Sequence, residues 1–415
     1  MIFFWDISLY TFGMKRLTYI FSLLFLLTLV SCASTCKEKE QEPVNWFEAP
    51  SLKEAFEGKF EIGFAIPLNK LEQRTFQEGL AHHASTFTME NEMKPDPIFG
   101  VYSGKRAPST MEIFEASNGL KIEVPKNYLV LSYITKSLQH AKNNNLKMRG
   151  HVLVWHSQTP GWFFKENYRM NGALVDKDTM TARQEWYIKS VLECVKKWEV
   201  ENNNDERIIH TWDVVNEAAS DANSGILKND SNWYNIYKSD EYIVNAFRFA
   251  NKYASKDVKL CYNDYNEYMG HKTQGILNIV KAIQDASNDE ELPTRIDVIG
   301  MQSHMGSNFP NPTSYEVALK KFIATGLDIH VTELDLGDFI NADDVTQANL
   351  YASYFSIFVK YAKTPTKNGI ENVTFWGVRD IDSWRSNGGK QFPLIFDANF
   401  NCKKSFFKIL ETSKY

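Results

Sequence analysis

Eight short apolar runs, rich in β-branched and aromatic residues, alternate along this chain with segments whose apolar residues recur near every 3.6 positions. The strand-like runs are 60–66, 86–90, 147–155, 210–216, 259–263, 298–303, 328–332 and 373–376. Helix-like segments between them include 128–143, 181–198, 241–254, 271–285, 315–324 and 346–362. Such alternation predicts a parallel sheet covered by helices. Eight units without a break in composition predict the α/β class and a single (β/α)8 (TIM) barrel. A doubly wound open sheet competes, but it prefers a Gly-rich turn after its first strand. Here Phe64-Ala65-Ile66-Pro67-Leu68 follows instead, and Pro67, which has no N–H to donate, ends the strand. With 415 residues, 43% of them hydrophobic, the chain has enough apolar material for a core of that size.

A packed barrel interior leaves the C-terminal strand ends for chemistry. Polar and aromatic residues gather there: Thr88 to Lys94, Gly150 to Gln158, Asn263 to Asn266, Gly300 to His304 and Trp376 to Asp380. The fourth run ends in Val215-Asn216-Glu217 and the seventh in Thr332-Glu333-Leu334-Asp335. A carboxyl ending a buried strand is costly unless it is paired or used. Two of them, delivered from separate strands, can flank one scissile bond, as glycosidic hydrolysis requires. Strand alternation places Asp213 on the same face as Glu217. Two readings of Asp213 stand side by side: a tuner of Glu217, or a buried structural carboxylate.

With these motifs, from about Phe60 to the C-terminus, the chain resembles glycoside hydrolase family 10, the endo-β-1,4-xylanases built on a (β/α)8 barrel. The resemblance implies hydrolysis of xylan with retention of configuration, with neither cofactor nor metal. It implies that Glu217 is the acid/base and Glu333 the nucleophile. His304 would donate to Glu333, Asp335 would fix the tautomer of His304, and Asn216 would bind the 2-hydroxyl of the reacting sugar. Residues matching Glu90, Asn91 and Lys94 bind the non-reducing side of the sugar chain. Those matching His151, Trp155, Gln158 and Gln302 line the reacting and neighbouring subsites. Trp376 and Trp384 match a floor and a wall that favour xylose over glucose. Tyr265 and Asn266 match leaving-group positions. A related retaining β-glycanase, cellulase or mixed-linkage glucanase shares the Asn-Glu pair and the barrel. A non-catalytic polysaccharide-binding lipoprotein is the reading from another class.

Each feature has a plainer counterpart. Lys94 can be a solvated loop lysine, since Lys is usually exposed. His82 and His83 end the first helix, where their charge would favour its dipole. His330 and His210 read as satisfied barrel histidines, and His156 as a supporting residue. The sequence departs from the family at Met89, at Arg379, which is expected to pair with Asp380 or Asp382, and at Cys402-Lys403-Lys404-Ser405. The loop 385–391 and the stretch 172–178 leave the rim of the site open.

The N-terminus carries a separate signal. Met14-Lys15-Arg16 precedes an apolar run, Leu17 to Val30, too short for a comfortable membrane span. The run ends in Leu29-Val30-Ser31-Cys32, which resembles a bacterial lipobox with Cys32 lipidated. The expected organisation is a signal peptide over 1–32, with Met14 as an alternative start, a polar tether over 33–50 and the catalytic barrel over 51–415. The expected address is a membrane-anchored lipoprotein at the cell surface or in the periplasm. Cys194, Cys261 and Cys402 have neither disulfide-framework nor zinc-site spacing and read as buried small apolar residues. A net charge of −5 argues against nucleic acid and against a basic membrane-surface role. The resemblance implies xylan or xylo-oligosaccharide as partner, and the lipobox implies a lipid anchor as the membrane contact. The protein is expected to act as a monomer.

Overall fold

The computed structural model describes residues 42–415 apart from 103, 105, 106 and 223–226. Val44–Tyr415 form one compact unit. Cys32, Cys36 and the apolar run before them lie outside the described residues. Within the unit, eight parallel strands close on themselves: β1 (Glu61–Ile66), β2 (Thr86–Met89), β3 (Lys147–Trp155), β4 (Ile209–Asn216), β5 (Lys259–Asp264), β6 (Val298–Met301), β7 (Asp328–Leu336) and β8 (Ile370–Phe375). Each pairs with the next, and β8 pairs with β1. Each strand is followed by a helix: α1 (Arg74–His83), α2 (Ser132–Asn143), α3 (Lys177–Asn202), α4 (Glu241–Tyr253), α5 (Gly270–Asp285), α6 (Pro312–Ile323), α7 (Val345–Lys360) and α8 (Lys404–Thr412). The expected (β/α)8 barrel is therefore present.

Local chemistry sets several of the boundaries. Asp176, Asn311 and Asp344 cap α3, α6 and α7 by accepting from first-turn N–H groups. α2 ends at Asn143, and Asn145 (φ 51°) supplies the left-handed residue that closes it. β7 runs four residues beyond its expected end, because Asp335 and Leu336 pair with the short strand His304–Met305. A hairpin, Met111–Glu115 against Lys121–Pro125, interrupts the connection between β2 and α2. Its signal was in the sequence: Asn118-Gly119 between two alternating runs.

The barrel floor is polar. Arg149, fully buried, donates to Asp213 (2.5 Å) and to His330 Nδ1 (3.2 Å). Breaking a buried pair of this kind from one side costs about 3–5 kcal/mol. Nε2 of His330 faces Glu371 at 3.3 Å, so this histidine is satisfied as expected.

Some expectations need correction. Residues 44–50, expected to belong to the tether, pack into the folded unit. Trp46 is fully buried, and its backbone N–H donates to the Phe400 carbonyl (2.9 Å). His83 does not serve the α1 dipole as a cation. It is buried, donates to the Trp46 carbonyl (2.7 Å) and accepts from the Leu52 N–H (3.3 Å). Burial pushes its pKa down to about 4, so it is neutral. Cys261 is buried, whereas Cys194 and Cys402 are only half-buried. At the departure near the C-terminus, Lys403 is buried and donates to both oxygens of Asp380 (3.2 and 3.0 Å). Arg379 pairs with Asp382 at 2.6 Å, one of its two expected partners.

Candidate active site

Four residues at the C-terminal ends of successive strands adopt left-handed backbone conformations: Gln158 (φ 42°), Glu217 (57°), Asn266 (53°) and Ser303 (60°). Each such non-glycine residue costs of order 1 kcal/mol or more, and such costs persist where surrounding structure over-determines the geometry. Glu217 directly follows β4, and its N–H donates to the Asn263 carbonyl (2.8 Å). That bond fixes where its side chain points. Oε2 accepts from Trp155 Nε1 (2.9 Å), while Oε1 accepts from Gln302 Nε2 (2.9 Å) and Asn216 Nδ2 (3.1 Å). All three donors are neutral.

Glu333 sits inside β7 and is buried. Its Oε1 accepts from Asn263 Nδ2 (2.8 Å) and its Oε2 from His304 Nε2 (3.2 Å). His304 Nδ1 donates to Asp335 Oδ2 (3.0 Å). Both ring nitrogens thus face carboxylates, which corrects the single-tautomer expectation. Burial alone would lower the His304 pKa, but Asp335 and Glu333 outweigh it and push it up to about 10. The ring is an imidazolium donating to both. Asp335 is itself held by Trp384 Nε1 (3.0 Å) and Arg385 Nη1 (2.8 Å).

Asn263 joins the two centres. Its Nδ2 donates to Glu333 and also to Asn216 Oδ1 (2.9 Å), and its Oδ1 accepts from Thr332 (2.6 Å). The neighbouring strand must carry no side chain here: a Cβ on Gly300 would lie 2.4 Å from Asn263 Oδ1. Sequence reading placed Asn263 in a polar cluster but gave it no role. Only its alternation with Cys261 on β5 hinted that it points inward.

The two carboxyls are biased in opposite directions. Burial raises the Glu217 pKa, and the charge of Glu333 adds to that, against the hydrogen bonds from Gln302 and Trp155. Burial also acts to raise Glu333, but the His304 hydrogen bond, with the charges of His151, His304 and Lys94, takes it below its ordinary value. One carboxyl is thereby favoured as an acid and the other as an anion, the division of labour that acid/base and nucleophilic chemistry require.

The remaining expected residues surround this pair. Lys94 is 6% exposed, which overturns the solvated-loop reading. Its Nζ donates to Asn91 Oδ1 (3.0 Å) and lies 5.1 Å from the Trp155 ring centre and 5.9 Å from that of Trp376. Burial raises the Glu90 pKa, with Lys94 opposing it. His151 packs edge-on against Trp376 (5.4 Å), and its Nδ1 pairs with Asp213 (2.9 Å). Gln158 Oε1 accepts from Tyr102 (3.3 Å). On another side Tyr265 donates to Asp221 (2.6 Å), and Asn266 Oδ1 lies 3.1 Å from the Tyr268 hydroxyl. Trp384 is 61% exposed and stands against His304, ring centres 5.0 Å apart. His156 Nδ1 is buried without a hydrogen-bond partner among the described residues.

Of the two readings of Asp213, its contacts favour the structural one. It pairs with Arg149 and His151, and it makes no hydrogen bond to Glu217. Burial would raise its pKa, yet Arg149 and His151 hold it down to about 2. A register shift in β4 between Asp213 and Val215 breaks the simple alternation on which the tuning reading rested.

Comparison with known proteins bears directly on this constellation. The model of glycosyl hydrolase family 10 matches residues 51–412. A bifunctional endo-1,4-β-xylanase of Ruminococcus flavefaciens is 35% identical over 365 residues, 88% of this chain and 34% of that protein. Endo-1,4-β-xylanase B of Butyrivibrio fibrisolvens is 35% identical over 370 residues, 88% of this chain and 53% of that protein. The chain thus spans between a third and about half of the length of these relatives. Among solved structures, the N-terminal endo-1,4-β-D-xylanase 10B of Clostridium thermocellum, with its CBM22-1 and GH10 modules and complexed with xylohexaose, superposes with a TM-score of 0.72 at 30% identity. That superposition covers 89% of this chain and 68% of the other. A family match across nearly the whole barrel, on a fold whose strand ends bring two oppositely biased glutamates together, means that this chain belongs to glycosyl hydrolase family 10.

Proposed function

We propose that this chain is an endo-acting, retaining β-1,4-xylanase. The observation that carries the reading is the opposite bias of Glu217 and Glu333 within one hydrogen-bonded network through Asn216, Asn263 and Gln302. Glu217 protonates the leaving glycosidic oxygen while Glu333 attacks the anomeric carbon. A glycosyl-enzyme forms on Glu333. Glu217, now ionised, takes a proton from water, which releases the sugar with its configuration retained. His304 disperses charge on Glu333 before attack and after release. Asn216 is suited to hold the 2-hydroxyl, and Glu90, Asn91, Lys94, His151, Gln158 and Gln302 to bind the non-reducing sugars. Trp376 and Trp384 are read as the surfaces that favour xylose, with Tyr265 and Asn266 on the leaving-group side.

Reducing-sugar release from glucuronoxylan and carboxymethyl cellulose, measured side by side with a Glu333→Ala blank, tests the reading. Release is expected from xylan and absent from the blank. Release mainly from cellulose would overturn the specificity argument built on Trp384. Release from neither, by folded protein, would favour a polysaccharide-binding role.

The proposal extends to the N-terminus: the chain is exported and anchored by a lipid on Cys32, with a short tether before the barrel. What supports this is the basic start at Met14-Lys15-Arg16, the apolar run from Leu17 and the Leu29-Val30-Ser31-Cys32 ending. Anchoring would hold the oligosaccharide products near the cell that imports them. In a bacterial host, Cys32→Ala is expected to move the protein from the membrane fraction to the soluble fraction. Unchanged membrane association would sink the lipobox.

A further inference from the structure

One buried carboxyl close to the reacting pair has no part in the chemistry above. Glu267 follows β5 and has no exposed surface. Its Oε1 accepts from both the backbone N–H and the hydroxyl of Ser303, each at 3.0 Å. Its Oε2 is buried and has no hydrogen-bond partner among the described residues. A carboxyl left half-satisfied in an apolar setting is expensive, so its retention calls for a reason.

Ser303 supplies one. It is the left-handed residue (φ 60°) between Gln302 and His304. Gln302 donates to Glu217 (2.9 Å), and His304 donates to Glu333 (3.2 Å). Two donors to the reacting carboxyls therefore hang from opposite sides of one strained turn. Glu267 is the group that holds the N–H of that turn. The next residue, Tyr268, donates from its hydroxyl to the His304 carbonyl (3.1 Å), and the Ser303 hydroxyl also meets Tyr315 Oη (2.7 Å). The turn is thus gripped from the β5 end and from α6.

Resting on the reading of function above, we propose that Glu267 is a positioning residue, whose hold on Ser303 sets Gln302 against Glu217 and His304 against Glu333 together. A general rule supports the importance of such a device: misplacing reacting groups by about 1 Å costs on the order of 100-fold in rate. Burial raises the Glu267 pKa to about 7, with Ser303 and His304 opposing and Asp264 adding to the rise. Tyr268, Tyr315 and Tyr354 are the other titratable groups that interact with it. A carboxyl whose ionisation burial disfavours accepts from Ser303 while adding less of a third negative charge beside His304, which already faces Asp335 and Glu333.

The test compares Glu267→Asp and Glu267→Gln with the wild-type chain. Active sites are counted by trapping with an activated 2-fluoro-xylobioside, so that turnover is expressed per competent site. The Asp variant keeps the carboxyl but withdraws it by one methylene. Its kcat on xylan is expected to fall about tenfold or more, with KM changed by less than about twofold. The Gln variant keeps an oxygen at the Ser303 position and is expected to stay within about threefold of wild type. Wild-type kcat in the Asp variant would overturn the proposal, and so would equal losses in the two variants, which would point to packing alone. The wild-type rate in the same assay tests the xylanase reading on its own.

Discussion

Glu333→Ala is expected to lower turnover by about 10⁴-fold or more on every substrate, whatever its leaving group. The physical reason lies in what remains. Without the carboxylate no covalent intermediate forms at this position. Asn263 Nδ2 and His304 Nε2 lose their acceptor, and the imidazolium keeps only Asp335. The variant should still fold, since the β7 backbone pairing with β6 and β8 does not involve this side chain. Measuring kcat on xylan and on an aryl xylobioside, with circular dichroism to establish folding, checks the expectation. A residual rate above about 1% of wild type on either substrate would remove Glu333 from the role of nucleophile.

Glu217→Ala should behave differently, and the difference is the diagnostic. On xylan, whose leaving group needs a proton, the rate should fall by about 10²–10⁴-fold, the usual worth of general acid catalysis. On a dinitrophenyl glycoside the first step needs no proton, so glycosyl-enzyme should accumulate. Azide should then accelerate turnover by attacking that intermediate, and it should not rescue xylan hydrolysis. The pH profile carries the same information. Wild-type activity requires Glu217 protonated and Glu333 ionised. Activity is therefore lost as pH rises through the raised pKa of Glu217, and lost as pH falls through the lowered pKa of Glu333. The alkaline limb should vanish in Glu217→Ala with the activated substrate, while the acid limb remains. An unchanged alkaline limb would mean that another group is the acid.

Much of the site's membership was legible in the residues, because it rests on local rules. Hydrophobic runs give strands, and the barrel topology brings strand ends to one face, so Glu217, Glu333, His304 and Gln302 could be assigned to a common site before any contact was known. Lys94 shows where local rules stop. Lysine is usually exposed, and only the packing of Trp155 and Trp376 around it makes it a buried cation. Asp213 shows the same limit from the other side. Alternation put it on the face of Glu217, but the β4 register shift and the reach of Arg149 from β3 gave it different partners.

Residue order alone was enough for the barrel, the succession of its strands and the two glutamates at their ends. Periodicity records which face a side chain takes, and strand order follows from chain order in an all-parallel closed sheet. Folding in three dimensions was needed for the protonation bias of the pair, the doubly paired His304, the bridge through Asn263 and the grip of Glu267 on Ser303. Those depend on contacts between residues 29 to 85 positions apart, fixed by inter-strand register to within an ångström. A charge or proton responds to distance and burial, and neither is written in the spacing of residues along the chain.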